Sequence, residues 1–498
     1  MTEDAVQDMI VADDIALIRA HAERIRAAAT AAGVLYWDER TMLPQAASSW
    51  RTMQRSWSAG VAHRELLDPD VIRAVDRVCD ADPTHPEACA LRRDIRTAQR
   101  VPAAWSERYA AATAQAWSAW SGARTEGHTI AAYFDALAEV VACARERAEL
   151  LGYEHEPYDA LIGEWEPGMT GAAALGMIED VVRATADLRA TAPMMDRSPL
   201  DRPVDSQSKQ RFEAAIAAAL GFDPERGRIV PAQRAFCISL GPHDVRLTSR
   251  FGVTDGLQAL TSTMHEVGHA IYAQSFARLG VPGLLAREAS VGIDESQSRL
   301  FENHVGLHPG FLRYMLECAS EHLGSVVADL DPDMWVRLWH GRAGSELRVG
   351  ADELDYDAHI LLRTRLERMM VNGDLDVSEL REGWREQSAT LLEHLPAPTD
   401  QFGVLQDVHW SIGQFGYFPC YTLGNIYAAQ VMQAARRAIG TLDDQLERGD
   451  TSSLRAWLDT TVYQHGRSRS AAQIMQSIGG SGDVQALTAH IETRFARA

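Results

Sequence analysis

The chain is 498 residues long, 46% hydrophobic and 23% charged, with a formal net charge of −21, a composition that fits a folded globular protein and excludes a disordered or fibrous one. So acidic a chain makes nucleic acid a poor partner, because phosphate binding needs clustered Lys and Arg. The first residues carry neither a basic leader nor an apolar run, and no uninterrupted apolar stretch of about 18 residues follows, so neither secretion nor membrane insertion is expected.

Along the chain, helical periodicity comes first and dominates. Ile18, Ala22, Ile25, Ala29 and Ala32 fall on one stripe at three- and four-residue steps, and Gly33 is the predicted stop. Similar Ala- and Leu-rich stripes recur almost throughout, with no repeat of fixed period. Residues 192–210 collect Pro193, Pro199 and Pro203 among Ser and Asp; they read either as a connection between two subdomains or as a long loop on one helical body of residues 1–498. Phe236, Ile238 and Leu240 alternate, Gly241-Pro242-His243-Asp244 supplies turn chemistry, and Val245 and Leu247 alternate again, which predicts a β-hairpin. An exposed strand there could hold an extended peptide by main-chain hydrogen bonds. From Leu257 the stripe Leu257, Leu260, Met264, Val267 and Ile271 marks a helix that Gly280 and Pro282 end. The expected fold is all-α with this one small β element and a deep cleft between two helical halves. Six scattered cysteines, with no C-x-x-C pair, predict reduced and mostly buried thiols in a cytoplasmic protein.

The helix from Leu257 carries His265-Glu266-Val267-Gly268-His269. Imidazoles four residues apart project from one face a turn apart, the placement two ligands need to share one cation. Glu266 follows the first of them directly, where it could accept a proton from water that a metal has made acidic. The blander reading, two histidines on a core or surface face, leaves Glu266 without a role. A third ligand is needed, and spacing alone does not choose among Glu288, Asp294, Glu295 and Glu302.

Asp294-Glu295-Ser296-Gln297-Ser298-Arg299 resembles the H-E-S-Q-S-R motif of the carboxypeptidase Taq family of metallocarboxypeptidases. Asp244 to Thr248 resembles its D-x-R-x-T motif, Leu347 to Asp352 its I-R-x-x-A-D motif, and Gly403 to Trp410 its G-x-x-Q-D-x-H-W motif. Three departures stand out: Leu347 replaces Ile, Asp294 replaces the His before the Glu, and Arg234-Ala235-Phe236 stands where the family has H-P-F. The resemblance implies Glu295 as third ligand and zinc as the metal, with cobalt or manganese as substitutes. It also implies release of single C-terminal amino acids from peptides with a free C-terminus, and a homodimer.

Recognition of a free C-terminus calls for a buried Arg fork. Arg348 is the first candidate, unless it pairs with Asp352 one helical turn on; Arg246 is the second, unless it bridges to Asp244. By resemblance to related helical zinc peptidases, His409 is assigned to substrate and Tyr421 to the developing oxyanion. Tyr417 lines the substrate site or takes the oxyanion in place of Tyr421. Gln406 and Asp407 are expected to orient their neighbours, and Asp294 to pair with Arg299 or cap the following helix. Two rivals remain: a related helical zinc endopeptidase or dipeptidyl carboxypeptidase, and a catalytically inactive helical metal-binding or interaction protein.

Overall fold

The computed structural model describes residues 3–125, 129–232, 234–342, 344–480 and 482–495. Among them the chain forms 21 α-helices and one three-stranded sheet, so the all-α reading with a small β element holds. Seven helices frame the region of interest: α1 (Glu3–Thr41), α2 (Ser48–Leu66), α3 (Ala103–Thr125), α4 (Ala259–Arg278), α5 (Val291–Arg299), α6 (Glu353–Asn372) and α7 (Pro419–Ala438). None of the described helices is long and apolar enough to cross a membrane.

The first helix runs past its predicted stop. Gly33 lies inside α1, where an added Cβ would sit 3.1 Å from Leu240 Cδ2 and 3.5 Å from Ile238 Cδ1. Its small size serves the approach of α1 to the sheet, and helix propensity alone could not distinguish this from a C-cap. The helix Ser206–Leu220 starts inside the Pro-rich stretch, because Asp205 caps it by accepting from the Ser208 N–H at 2.9 Å.

The predicted hairpin is present as β2 (Phe236–Gly241) and β3 (Asp244–Ser249), antiparallel, with Cys237 opposite Leu247. A strand that the sequence reading missed, β1 (Gly227–Pro231), pairs parallel to β3 on its other side. The order β1-β3-β2 leaves β2 at the edge. The predicted stripe of α4 is buried together with Val245 and Leu247 of β3 in the largest apolar core, which also takes Leu423 and Ile426 of α7. A second core gathers Trp105 and Trp120 of α3, Ile360 and Leu361 of α6, and Trp410 and Phe418. A third ties Ile18 and Ala22 of α1 to Val71, Val75 and Leu91. All six cysteines are free, and Cys79, Cys143 and Cys420 are buried.

Candidate metal centre

Three helices bring the site together by close backbone approach. At Gly268 of α4 an added Cβ would lie 2.6 Å from Ser298 Cα and 2.5 Å from Gln297 O, so α5 can rest directly against the motif helix only because that residue is glycine. From the other side α7 presents Gly424, where a Cβ would meet Glu295 Cγ at 2.6 Å and Cβ at 2.7 Å. The N-terminus of α5 is fixed twice: Ser290 Oγ accepts from the Ile293 N–H at 3.0 Å, and the buried Glu166 Oε2 accepts from the Gly292 N–H at 3.0 Å. Between these contacts Glu295 is 3% exposed.

His265, His269 and Glu295 converge, their ligand atoms all within 4.8 Å of one another. His265 Nε2 lies 3.6 Å from Glu295 Oε1, and His269 Nε2 lies 3.7 Å from Glu295 Oε2. The outward nitrogens meet carboxylates as well: His265 Nδ1 is 3.0 Å from Glu302 Oε2, and His269 Nδ1 is 3.0 Å from Asp294 Oδ2. A carboxylate behind each imidazole fixes the ring so that Nε2 points inward, the arrangement found behind metal-bound histidines. Of the four acidic candidates, then, Glu295 faces both inward nitrogens while Asp294 and Glu302 stand behind the rings. Asp294 neither pairs with Arg299 nor caps a following helix. Arg299 instead donates to Glu295 Oε1 and Glu302 Oε2, both at 3.1 Å.

Burial disfavours charge on His269, yet Asp294, Glu295 and Glu266 outweigh it and raise this imidazole to about 10. Two nitrogens with one carboxylate suit a divalent ion. Glu266 is 9% exposed. Burial raises its carboxyl above the usual range, and the neighbouring imidazoles partly reverse that.

The second core supplies the remaining groups. Arg348 donates through Nη2 and Nε to Asp407 Oδ1 at 2.8 and 3.1 Å, and through Nη1 to Tyr356 Oη at 2.9 Å. The other oxygen of Asp407 accepts from Arg363 Nε at 2.6 Å, and Gln406 Oε1 accepts from the Arg348 backbone N–H at 2.9 Å. Asp352 is occupied elsewhere, capping α6 through the Leu354 and Asp355 N–H groups. His409 Nε2 is 3.0 Å from Tyr421 Oη, and the Tyr417 ring lies 5.4 Å from that of Tyr421. Burial first, reinforced by Arg348 and Arg363 against Asp407, pushes His409 down to about 3, so the ring is neutral. Burial raises Tyr421, which stays a hydroxyl donor. Arg246 lies apart on β3, forked onto Asp244 at 2.7 and 2.8 Å with its guanidinium 5.7 Å from the centroid of the Trp37 ring.

Sequence reasoning missed Tyr356, Arg363 and Gly424, and gave Glu166 and Gly268 no positioning role. Glu302, already one of the four acidic candidates, lies on the π-helical segment Leu300–Gly306 that continues α5.

A sequence model of the carboxypeptidase Taq (M32) metallopeptidases matches residues 17–495. The thermostable carboxypeptidase 1 of Thermus thermophilus is 32% identical over 485 residues, covering 92% of this chain and 94% of that protein. The solved carboxypeptidase of Pyrococcus furiosus superposes with a TM-score of 0.91 at 27% identity, covering 97% of this chain and 99% of that one. The M32 carboxypeptidase of Deinococcus radiodurans gives 0.88 at 29% identity, covering 97% and 99%.

Proposed function

From the premise that the chain belongs to the carboxypeptidase Taq family, and is therefore a metal-dependent carboxypeptidase acting on peptides, we propose that it removes single residues from free C-termini at His265, His269 and Glu295. The observation that carries this reading is the pair of inward Nε2 atoms facing one buried carboxylate at 3.6 and 3.7 Å. Zinc is the proposed ion, with cobalt or manganese able to replace it, in keeping with two imidazoles and a carboxylate. Held there, a divalent cation supplies Lewis acidity that acidifies water and polarises the scissile carbonyl.

The protein groups do the rest. Glu266 accepts the proton of the attacking water and returns it to the leaving amine; its raised pKa suits that exchange. Tyr421 donates its hydroxyl to the oxyanion, and neutral His409 steadies that hydroxyl while facing substrate. Arg348 receives the terminal carboxylate, held in place by Asp407 and Tyr356. Tyr417 lines the substrate side beside Tyr421. Arg246, with Asp244 already on its fork, takes a lesser part in binding.

The chain is further proposed to be one domain whose two larger cores form halves around a cleft, a division supported by the separate packing of those cores. A cytoplasmic homodimer is proposed with it. Free thiols support the compartment, and the exposed Trp50, Met53 and Trp57 on α2 offer an apolar stripe for a second copy.

The test uses protein of known metal content, a short unblocked peptide, and the same peptide amidated at its C-terminus, with products identified by mass. Single residues released from the unblocked peptide, with strong loss of turnover on the amidated one, are expected. Equal cleavage of both, or products of two residues, would favour an endopeptidase or a dipeptidyl carboxypeptidase instead.

A further inference from the structure

Arg234 stands where the family has the His of H-P-F, in the loop that leads into the edge strand β2. Its carbonyl accepts from Thr248 Oγ1 at 2.7 Å, which fixes the loop to β3. Its guanidinium lies 5.7 Å from the centroid of the buried Trp120 ring, and that of Arg124 lies 5.6 Å from the same ring. Both Trp120 Nε1 and Arg124 Nη1 donate to Leu405 O, at 3.0 and 2.6 Å, two residues ahead of the Asp407 that holds Arg348. From α1, Arg40 lies 5.1 Å from the centroid of the Tyr36 ring, and that ring packs 6.0 Å from Phe236, two residues after Arg234.

Three arginines from three separate segments thus gather in a chain of formal charge −21. The acids beside them are engaged: Asp38 by Arg51, Glu39 by Arg55 and Asp244 by Arg246. Among the described residues no carboxylate forms an ion pair with Arg40, Arg124 or Arg234. Arg40 and Arg234 are exposed and Arg124 half-buried, and like charges held together with no ion-paired carboxylate among the described residues favour an anion brought from outside. Partial burial first, then Arg124 and Arg40, lower the Arg234 guanidinium from its usual value, while Asp407 pulls the other way; the cluster therefore shares the electrostatic neighbourhood of the arginine proposed to hold the terminal carboxylate. Arg234 lies two residues before β2, and Cys237, the second residue of that strand, has its thiol raised by burial and then by Glu266 and Asp294.

We infer that Arg234, Arg124 and Arg40 form an anion subsite for the side-chain carboxylate of the residue being released, so that the enzyme selects peptides ending in glutamate or aspartate. The inference rests on the release of single C-terminal residues proposed above. It is tested with three peptides identical except for a last residue of Glu, Gln or Lys, read as ratios of kcat/KM. The native enzyme is expected to favour Glu over Gln by about tenfold, the gain from one charged hydrogen-bonded contact. That ratio should narrow as salt rises from low to physiological concentration. Arg234→Gln and Arg124→Gln each move the Glu/Gln ratio toward one, and Arg234→Glu turns the preference toward Lys. A native ratio at or below one, or a ratio that neither Gln variant changes, overturns the subsite. If Gln-ending peptides are trimmed without a preference for Glu, the subsite alone fails. If no peptide yields a free C-terminal residue, the proposed function fails and the subsite falls with it.

Discussion

Burial raises the Glu266 carboxyl while His265 and His269 draw it back, and that balance makes it a serviceable proton carrier whose loss should be separable from loss of the metal. Glu266→Gln keeps the volume and removes the basicity. Turnover of an unblocked peptide is expected to fall by roughly 10²- to 10⁴-fold, with metal per chain unchanged by elemental analysis; a variant that loses its metal as well would make Glu266 a ligand. Arg348 can also be probed without collapsing its surroundings, because Asp407 keeps Arg363 at 2.6 Å when the Arg348 fork is removed. Arg348→Gln should raise KM for unblocked peptides and flatten the difference between unblocked and amidated ones. If that difference persists at native size, the terminal carboxylate is held elsewhere. At this scale the two histidines and Glu266 were legible because spacing on a helix encodes a shared face. The choice of Glu295, and the His409–Tyr421 pair, were legible only through resemblance. Two residues twelve apart across a loop carry no periodic signal, and four acids downstream of a motif all look alike until a fold orients them.

Helix α5 shows how an element becomes a positioning device. It is fixed at its start by Ser290 and Glu166, and pressed on two sides by the glycines 268 and 424. At Gly424 a methyl group would push on the Glu295 side chain itself, so Gly424→Ala is expected to weaken metal binding by roughly 10- to 100-fold, the range seen when groups that position ligands are altered. Competition with a chromophoric chelator measures this, and an unchanged affinity would show that Glu295 can yield without cost. Glu166 carries a pH signature. Burial raises it to about 7, against hydrogen bonds from Ser290, Gly292 and Tyr427, while in the unfolded chain it titrates near the ordinary value of about 4.3. The folded state therefore holds a proton that the unfolded state has released between those values. Its contribution is full below about 4.3, declines as pH rises toward 7, and costs roughly 4 kcal/mol above that. Glu166→Gln retains an acceptor for the Gly292 N–H and a donor for Tyr427 Oη, so the variant should gain stability relative to the native chain as pH rises from 5 to 7, read by urea unfolding at each pH. Parallel curves over that interval would sink the assignment. The elements themselves were unevenly legible. The hairpin and α4 follow from alternation and stripe, but β1 is five residues ending in proline whose parallel partner begins 18 positions away by register, and such pairing leaves little local trace. Gly33 misled for a related reason: the local chain cannot tell a helix end from a helix pressed against a distant sheet.

Across the whole molecule, the proposed ligands and the proposed substrate groups belong to different bodies. His265, His269 and Glu295 ride on α4 and α5, whose apolar faces join the largest core, whereas Arg348, Asp407 and His409 sit with the residues of the second. Composition and periodicity foretold a large helical protein, but not which helices would meet, since that depends on shape complementarity between surfaces far apart in sequence. This division makes the last prediction. Because α4 and α5 are held by buried side chains and glycine contacts rather than by the ion, removing metal with a chelator should leave the far-ultraviolet helical signal unchanged. It would also leave the carboxylates Glu266, Asp294, Glu295 and Glu302 crowded around two imidazoles without the cation that balances them, so thermal stability should drop. Binding linkage sets the scale: zinc at 100 times its Kd adds about 2.7 kcal/mol to the folded state, which for a chain of this size is a rise in Tm of a few degrees that keeps growing with the logarithm of free zinc. A Tm indifferent to zinc would mean that no ion binds the folded state preferentially. Loss of helix on chelation would mean that the metal builds the core, and that buried side chains and glycine contacts alone do not hold α4 and α5 in place.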